Sequence, residues 1–166
     1  MFYTQLRQPS SIVSTAFGTR WVMQIVDAWN GVPASPGSRT HEGDKAHNFL
    51  VAGPNWKGTA PEGVEVLQSP TELTIIAGRT YTPGGSDYAE VNALQDQYKL
   101  TPMSDWGTTY VAPDHVPLKE GVDGETLVNT QLMALNAEQF FGRLNRLMAN
   151  NPPYAEDAPM LKKLAP

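Results

Sequence analysis

The sequence has no cysteine, few basic residues and no long hydrophobic run. Without cysteine the chain forms no disulfide and offers no thiolate nucleophile or thiolate metal ligand, so its redox compartment stays open. Only 12 Lys and Arg stand against 17 Asp and Glu, which gives a net charge of −5, and no basic cluster is present. Binding to a nucleic-acid backbone requires clustered positive charge, so we expect no nucleic-acid partner.

Membrane and export segments are also missing from the pattern. No apolar run approaches the roughly 20 residues that a membrane-spanning helix needs. Near the N-terminus, Gln5, Arg7 and Gln8 interrupt the continuous apolar region of about 7–15 residues that a signal peptide requires. We therefore expect neither a transmembrane segment nor a signal peptide in this chain, and localisation stays unknown.

What is present indicates one folded domain. The chain has 166 residues, of which 40% are hydrophobic, and four are tryptophan, enough for a real core. Residues 1–19 show neither a strand nor a helix period and are predicted to form a mobile arm. Strands are predicted by apolar patterning at 21–26, 48–52, 64–66, 71–78 and, briefly, 108–111. The first of these is apolar on both faces, and Leu73, Ile75 and Ala77 share one face of the fourth.

Two helices have clear start patterns. Asp87 with Glu90 predicts a capping box that opens a helix reaching Tyr98. Asn136 with Gln139 predicts another, with an apolar stripe at Phe140, Phe141, Leu144, Leu147 and Met148. A last amphipathic turn is expected at 161–164. The combination predicts a mainly β protein with a few helices, in the α+β class.

Polar side chains concentrate in the long loop after the first predicted strand. Asp27 stands at its start, and Arg39, His41, Asp44 and His47 follow. Two histidines six residues apart with an aspartate between them can hold a divalent metal such as zinc, which supplies hydroxide near neutral pH. The spacing matches none of the recognised metal motifs, and polar loop residues often bond only to backbone or water. All five are candidate catalytic residues, and His41, Asp44 and His47 are candidate metal ligands.

A second polar group consists of carboxylates and a histidine in an irregular segment, at Asp105, Asp114, His115, Glu120, Asp123 and Glu125. Their oxygens suit calcium, although the spacing does not fit the twelve-residue calcium loop and a solvated acidic loop is the simpler interpretation. Serine chemistry has little support, because there is no Gly-x-Ser-x-Gly elbow, and Ser35 fits a turn better than a nucleophile. Glycoside cleavage by Asp27 with Asp44 stays open, because the deciding separation is spatial.

Aromatic residues near polar groups are candidates for ligand binding. Trp29, Asn30, Trp56 and Tyr81 could together hold a sugar or a small ring. The competing interpretation places these rings in the core, where aromatic side chains are more often found.

Several longer blocks occur in a fixed order: WNGVPASPGSRT at 29–40, NFLVAGPNWKG at 48–58, GRTYT at 78–82, DY at 87–88, LQDQYKLTP at 94–102, NPP at 151–153 and DAPM at 157–160. In this order they resemble the bacterial DUF1254 family, over about residues 20–164. The resemblance implies a jelly-roll-like β-sandwich with a few helices, usually in exported proteins and followed by a second sandwich domain.

Nothing in residues 1–19 resembles the elements that open the family domain. The chain is therefore expected to be a truncated piece, with an unmatched arm at 1–19 and a partial β-sandwich domain with C-terminal helices at 20–166. A two-sided strand such as 21–26 would then present an unpaired edge, and self-association through exposed strand edges is expected.

Three functions stay open, because the resemblance names no reaction. The first is a hydrolase, either metal-free or dependent on calcium or zinc, acting on an ester, lactone or glycan, with Arg39 positioning an anion. The second is a non-catalytic module that binds a carbohydrate or another small molecule. The third is a structural or oligomerising remnant.

Overall fold

In the computed structural model of the protein, the segment that is apolar on both faces is a strand at the centre of the core. The structure describes residues 2–5, 11–14, 20–42, 45–115, 117–118 and 120–164. The strands are β1 (Phe2–Gln5), β2 (Ser11–Ser14), β3 (Trp21–Asp27), β4 (Asn48–Ala52), β5 (Val64–Gln68), β6 (Leu73–Thr80) and β7 (Lys99–Pro102). The helices are α1 (Tyr88–Gln95), α2 (Val128–Met133), α3 (Ala137–Met148) and α4 (Ala158–Leu164). This mixture confirms the predicted α+β class.

The chain divides into two compact units, Met1–Tyr110 and Val111–Pro166. The first contains strands β1 to β7 and α1, and the second contains α2, α3 and α4. No helix in the described ranges is long and apolar enough to span a membrane.

Two sheets form in the first unit. One has the order β1-β6-β3 and is antiparallel, with β3 and β6 paired from Trp21 opposite Thr80 to Asp27 opposite Thr74. The other has the order β5-β4-β2-β7, in which β4 and β5 are parallel and the remaining pairs antiparallel. A parallel pair needs a crossover connection, which residues 53–63 provide between β4 and β5.

One apolar core takes side chains from both sheets. Trp21, Met23 and Ile25 alternate along β3 and all point inward, as the period of two in a strand requires. Phe49 on β4 is only 1% exposed. The cluster comprises Val13, Trp21, Met23, Ile25, Phe49, Val51, Leu67 and Ile76. The first unit is therefore built as two packed layers.

The buried face of β6 differs from the predicted one. Thr74 and Ile76 are buried, whereas Leu73 is exposed. Ile76 lies opposite the core residue Ile25, and the Thr74 hydroxyl donates to Ser69 Oγ at 2.9 Å. Because the apolar residues of this strand occupy both alternating sets, the inward face follows from the neighbouring strand and the hydroxyl pair, which the sequence pattern does not contain.

A loop covers the outer edge of β3. Residues 31–38 run back along the strand and exchange backbone hydrogen bonds with it. The bonds are Met23 N to Pro36 O at 2.8 Å, Ile25 N to Ala34 O at 2.9 Å and Ser38 N to Trp21 O at 3.0 Å. The prediction that this strand presents an unpaired edge is therefore wrong.

The N-terminal residues also differ from expectation. In place of the predicted arm over residues 1–19, residues 2–5 and 11–14 form β1 and β2. The first pairs with β6, and the second lies between β4 and β7. A strand of four residues is too short to display a period, so only pairing partners reveal it. The brief strand predicted at 108–111 does not form.

The two predicted capping boxes have opposite outcomes. Asn136 and Gln139 exchange both capping hydrogen bonds at the start of α3, which confirms the prediction. The Asp87 side chain makes no capping hydrogen bond to α1. Asp87 ends the 3-10 turn Gly85–Asp87 with near-helical angles (φ −102°, ψ −7°), whereas a capping side chain needs a non-helical backbone. The α1 helix also ends earlier than predicted, at Gln95, because a turn at residues 96–97 leads into β7. A final helix, α4, occurs where the amphipathic turn was expected.

Candidate functional site

An open cleft with a volume of about 1130 Å³ lies where the start of β3 pairs with the end of β6. Antiparallel register brings Trp21 opposite Thr80, and the Tyr81 N–H donates to the Arg20 carbonyl at 2.8 Å. The loop after β3 forms the remaining wall. The lining residues are Arg20, Trp21, Val22, Ser35, Gly37, Ser38, Arg39, Thr40, Arg79, Thr80, Tyr81 and Thr82. We call it the arginine cleft.

Three guanidinium groups give this cleft a positive character. Arg20, Arg39 and Arg79 are exposed there, and none of the described lining residues is Asp or Glu. The Arg20 guanidinium carbon lies 5.9 Å from the ring centroid of Tyr81, and Arg79 Nη1 donates to the Gln24 side-chain oxygen. Within the described ranges, the ion pairs join other residues and leave these three arginines without a carboxylate partner.

Gly37 allows the loop to approach β3 closely. A Cβ at this position would lie 2.6 Å from the Trp21 carbonyl oxygen, a distance that real side chains do not adopt. The Gly37 N–H donates to Thr40 Oγ1 at 3.1 Å, and the Thr40 hydroxyl is also 3.1 Å from the Gly37 carbonyl oxygen. Glycine is therefore required here for space, and it fixes the position of Thr40 on the cleft wall.

A hydrogen-bonded chain leads from Thr40 away from the cleft. Thr40 Oγ1 lies 2.9 Å from His41 Nδ1, and His41 Nε2 lies 3.0 Å from Glu65 Oε2. A carboxylate accepts, so the Nε2 atom carries the proton, which leaves Nδ1 of a neutral imidazole as an acceptor for the hydroxyl. The side chain of His41 is 20% exposed. The arrangement joins a hydroxyl, an imidazole and a carboxylate in one row.

An aromatic cluster supports this imidazole. The His41 ring packs edge-on against His47 at 5.4 Å and against Phe49 at 5.0 Å between centroids. The ring of the core residue Trp21 lies 5.9 Å from His47. His47 Nε2 lies 2.8 Å from the Glu42 carbonyl oxygen and therefore donates to it. The orientation of both histidines is thus fixed by packing and hydrogen bonds.

The predicted metal ligands are only partly described. His41 and His47 lie together, whereas Asp44 falls outside the described residues. Among the residues that the structure describes, no group of three or more His, Asp or Glu side chains has the geometry to hold a metal ion. The described carboxylates of the second polar group, at residues 105–125, likewise form no metal site.

In that group, the Asp123 carboxylate accepts hydrogen bonds from the backbone N–H groups of Thr126 and Glu125. These bonds, chiefly the one from Thr126, lower the pKa of the Asp123 carboxyl.

Asp27 and Asn30 hold a turn. Asp27 is buried, and its Oδ1 accepts from the backbone N–H groups of Trp29 at 2.8 Å and Gly31 at 2.9 Å. Asn30 adopts a positive φ of 64°, a conformation that asparagine tolerates better than most residues. Neither side chain lines the arginine cleft.

The structure separates the aromatic residues that were predicted to bind a ligand together. Tyr81 lines the arginine cleft and is 54% exposed. Trp29 lies in the turn after β3, and Trp56 folds over Gly58 in the connection between β4 and β5. The structure therefore brings Tyr81 to the same cleft as Arg39 and leaves the other two rings outside its lining.

Sequence reasoning missed Arg20, Arg79 and Glu65 as site residues. Arg79 stands in the GRTYT block at 78–82 beside Tyr81, so a local motif pointed to it. Arg20 and Glu65 carry no local pattern. They join the site only through the β3–β6 register and through the position of β5 next to β4.

The fold and the site define an α+β protein whose first unit carries a basic cleft. The family model for proteins of unknown function, DUF1254, matches residues 4–102, so the chain belongs to this family. The crystal structure of the VPA0106 protein from Vibrio parahaemolyticus is similar, with a TM-score of 0.58 and 24% sequence identity. The match covers 71% of this chain and 31% of that chain, and at this identity it supports the fold alone. No curated protein gives a significant match.

Proposed function

We propose that the protein is a hydrolase for an ester or a lactone, with Thr40 as nucleophile, His41 as general base and Glu65 as the group that orients the imidazole. The observation that carries the proposal is the row of hydrogen bonds from Glu65 through His41 to Thr40, 3.0 and 2.9 Å long. The row ends on the wall of the arginine cleft. A hydroxyl beside a base, with the base held by a third group, is the arrangement that activates a weak nucleophile.

The chemistry balances without an added oxidant or reductant. His41 Nδ1 takes the proton of Thr40 Oγ1 as this oxygen forms a bond to the acyl carbon, and the positive imidazolium is stabilised by the Glu65 carboxylate. The ester C–O bond then breaks, and His41 returns the proton to the leaving alkoxide. Water, deprotonated by the same nitrogen, then attacks the acyl carbon of the Thr40 ester, and as the C–O bond to Thr40 breaks, His41 returns the proton to Thr40 Oγ1 and the acid is released.

The test is hydrolysis of short-chain nitrophenyl esters and lactones by the full chain. General-base catalysis contributes about 10²–10⁴-fold, so His41→Ala and Thr40→Val are expected to lower kcat at least about 100-fold. Thr40→Ser retains the hydroxyl and is expected to keep most of the activity. The matched control is His115→Ala, since His115 is the third histidine and lies in the other unit.

Three results would overturn the proposal. They are turnover by the parent that His41→Ala leaves unchanged, equal loss in the His115→Ala control, and no turnover on any ester or lactone. An arm with EDTA tests the metal-assisted alternative, in which His41, Asp44 and His47 bind calcium or zinc: loss of activity that either metal restores would replace the Thr40 mechanism by metal-assisted hydrolysis.

A second candidate function is binding of a carbohydrate or another small molecule without turnover. It is favoured by one observation, the exposed Tyr81 ring in a large cleft that also presents polar groups. Saturable binding by a chain that hydrolyses nothing would support it over the hydrolase.

We further propose that the two sheets belong to a jelly-roll β-sandwich and that the chain self-associates through a sheet edge. The shared core of both sheets supports the sandwich. The edge strand β5, where Val66 is 39% exposed, is the best candidate for pairing with a second copy. Light scattering tests the association: a monomer mass at all concentrations, in the parent and in Val66→Lys alike, would contradict it.

A further inference from the structure

We infer that the arginine cleft binds a small organic anion bearing carboxylate or sulfate groups, with Arg20, Arg39 and Arg79 on the anionic groups and Tyr81 against the carbon skeleton. The inference stands on the cleft itself. It rests on the proposed function only in the further statement that the bound anion is also the substrate, an ester or lactone of an acidic molecule.

The distribution of charge in the chain favours an anionic ligand for this cleft. The chain carries a net charge of −5 and has six arginines, yet half of them line one cleft. Like charges gathered on one surface repel one another, and in the described residues no carboxylate of the lining offsets them. A cleft of one sign focuses the field on ligands of the opposite sign, so an anion is the ligand that this surface favours.

The three guanidinium groups are arranged around the cleft. Arg79 stands on β6, where it donates to Gln24, and Arg20 directly precedes β3, where it lies over the Tyr81 ring. Arg39 stands on the loop that is hydrogen-bonded to β3. Guanidinium groups present a planar fork that matches carboxylate and sulfate oxygens, and a group already held in place loses less entropy when it binds.

Size and shape select an organic anion over an inorganic one. The cleft has a volume of about 1130 Å³, which exceeds what one phosphate or sulfate ion fills. Tyr81, with 54% of its surface exposed, offers an apolar face next to Arg20. A molecule with several oxyanion groups on a carbon framework, such as an acidic saccharide, uses both features.

The experiment measures binding separately from turnover. Tri-galacturonate and its fully methyl-esterified form have the same framework and differ in charge, and both are titrated calorimetrically into the full-length His41→Ala variant, which by the proposal cannot consume the ester. We expect the anion to bind at least about tenfold more tightly than the ester. Inorganic sulfate and phosphate, added as competitors, are expected to weaken the binding only at far higher concentrations.

Variants identify the contacting groups. Arg39→Gln and Arg79→Gln are each expected to weaken binding of tri-galacturonate about tenfold without shifting the melting temperature, because both side chains are exposed. The control is Arg143→Gln, an exposed arginine on α3 in the other unit, which should bind like the parent.

Each outcome decides between the two proposals. Charge-dependent binding without turnover in the parent upholds the cleft assignment and overturns the hydrolase. Equal affinity for the anion and its ester, equal effects of Arg143→Gln and Arg39→Gln, or full competition by sulfate at concentrations equal to those of tri-galacturonate would overturn the cleft assignment. Hydrolysis of neutral esters with no anion binding would leave the hydrolase standing alone.

Discussion

Replacing Gly37 by alanine is the change that best tests whether the packing against β3 positions the candidate site. The added Cβ would lie 2.6 Å from the carbonyl oxygen of Trp21 and 3.1 Å from the Cα of Val22. Both are backbone atoms of a paired strand, so they cannot rotate away and the loop must move instead. Because Gly37 holds Thr40 through its N–H, which donates to Thr40 Oγ1, and through its carbonyl, which accepts from the backbone N–H of Thr40, the movement displaces Thr40 and with it His41.

The size of the effect follows from overpacking. Forcing one extra carbon into a close backbone contact costs about 1–3 kcal/mol. At roughly 4 °C per kcal/mol for a domain of about this size, the melting temperature of Gly37→Ala should fall by about 4–12 °C. A displacement of about 1 Å at a catalytic hydroxyl costs on the order of 100-fold in rate, so ester turnover should fall by more than the fraction unfolded explains.

The assay combines a thermal melt followed by circular dichroism with kcat measured well below the melting temperature. Gly53→Ala is the matched control, because a Cβ at Gly53 meets no atom within 4 Å. The free energy of unfolding of Gly53→Ala is expected to lie within about 1 kcal/mol of the parent's, because a glycine-to-alanine change that the backbone tolerates is neutral or slightly stabilising. If Gly37→Ala melts and turns over like the parent, the close contact with β3 does not position Thr40 and His41.

Three further outcomes follow from local contacts. Asn136→Ala removes the capping box of α3 and should cost about 1 kcal/mol, seen as lower helix content on melting; no loss would mean that the cap is not used in solution. Thr74→Val takes a hydrogen bond from the buried Ser69 hydroxyl and should cost about 1–3 kcal/mol in urea unfolding, whereas a neutral result would show that another donor replaces it. The backbone N–H of Thr126 lowers the pKa of Asp123, so that carboxyl stabilises the folded state above its unfolded pKa, about 3.9, and this contribution is lost as pH falls through the folded pKa. Asp123→Asn should therefore be less stable than the parent at pH 7, and the difference should shrink as pH falls below about 3.9; a pH-independent difference would contradict the assignment.

Local sequence patterns predicted the elements whose causes are local. The strand at Trp21–Asp27 follows from a two-sided apolar run, and the start of α3 follows from Asn136 and Gln139, three residues apart. The β1 and β2 strands were missed because four residues carry no period, and their partners lie far along the chain. The prediction of the buried face of β6 was wrong for the same reason, because pairing with Ile25 on another strand decides which face is buried.

The residues of the candidate site were likewise predicted where they are close in sequence and missed where only the fold brings them together. The polar loop after β3 was identified from composition, and it does contain Arg39, Thr40 and His41. Glu65, which orients His41, comes from β5, and its approach depends on the crossover that makes β4 and β5 parallel. A carboxylate 24 residues away from its histidine has no spacing rule, so only the fold reveals the pair.

The difference between Asp27 and Arg39 explains why residue type alone misleads at such a site. Both were named as catalytic candidates from the same loop, but Asp27 is 3% exposed and its carboxylate accepts two backbone N–H groups of the following turn. A buried carboxylate needs such bonds to offset desolvation, so the loop uses Asp27 to hold its own shape. Arg39 is exposed on the cleft wall and has no described ion-pair partner, so its charge remains available to a ligand. Burial and hydrogen-bond partners therefore separate Asp27, which builds the loop, from Arg39 and His41, which the proposed hydrolysis and anion binding use.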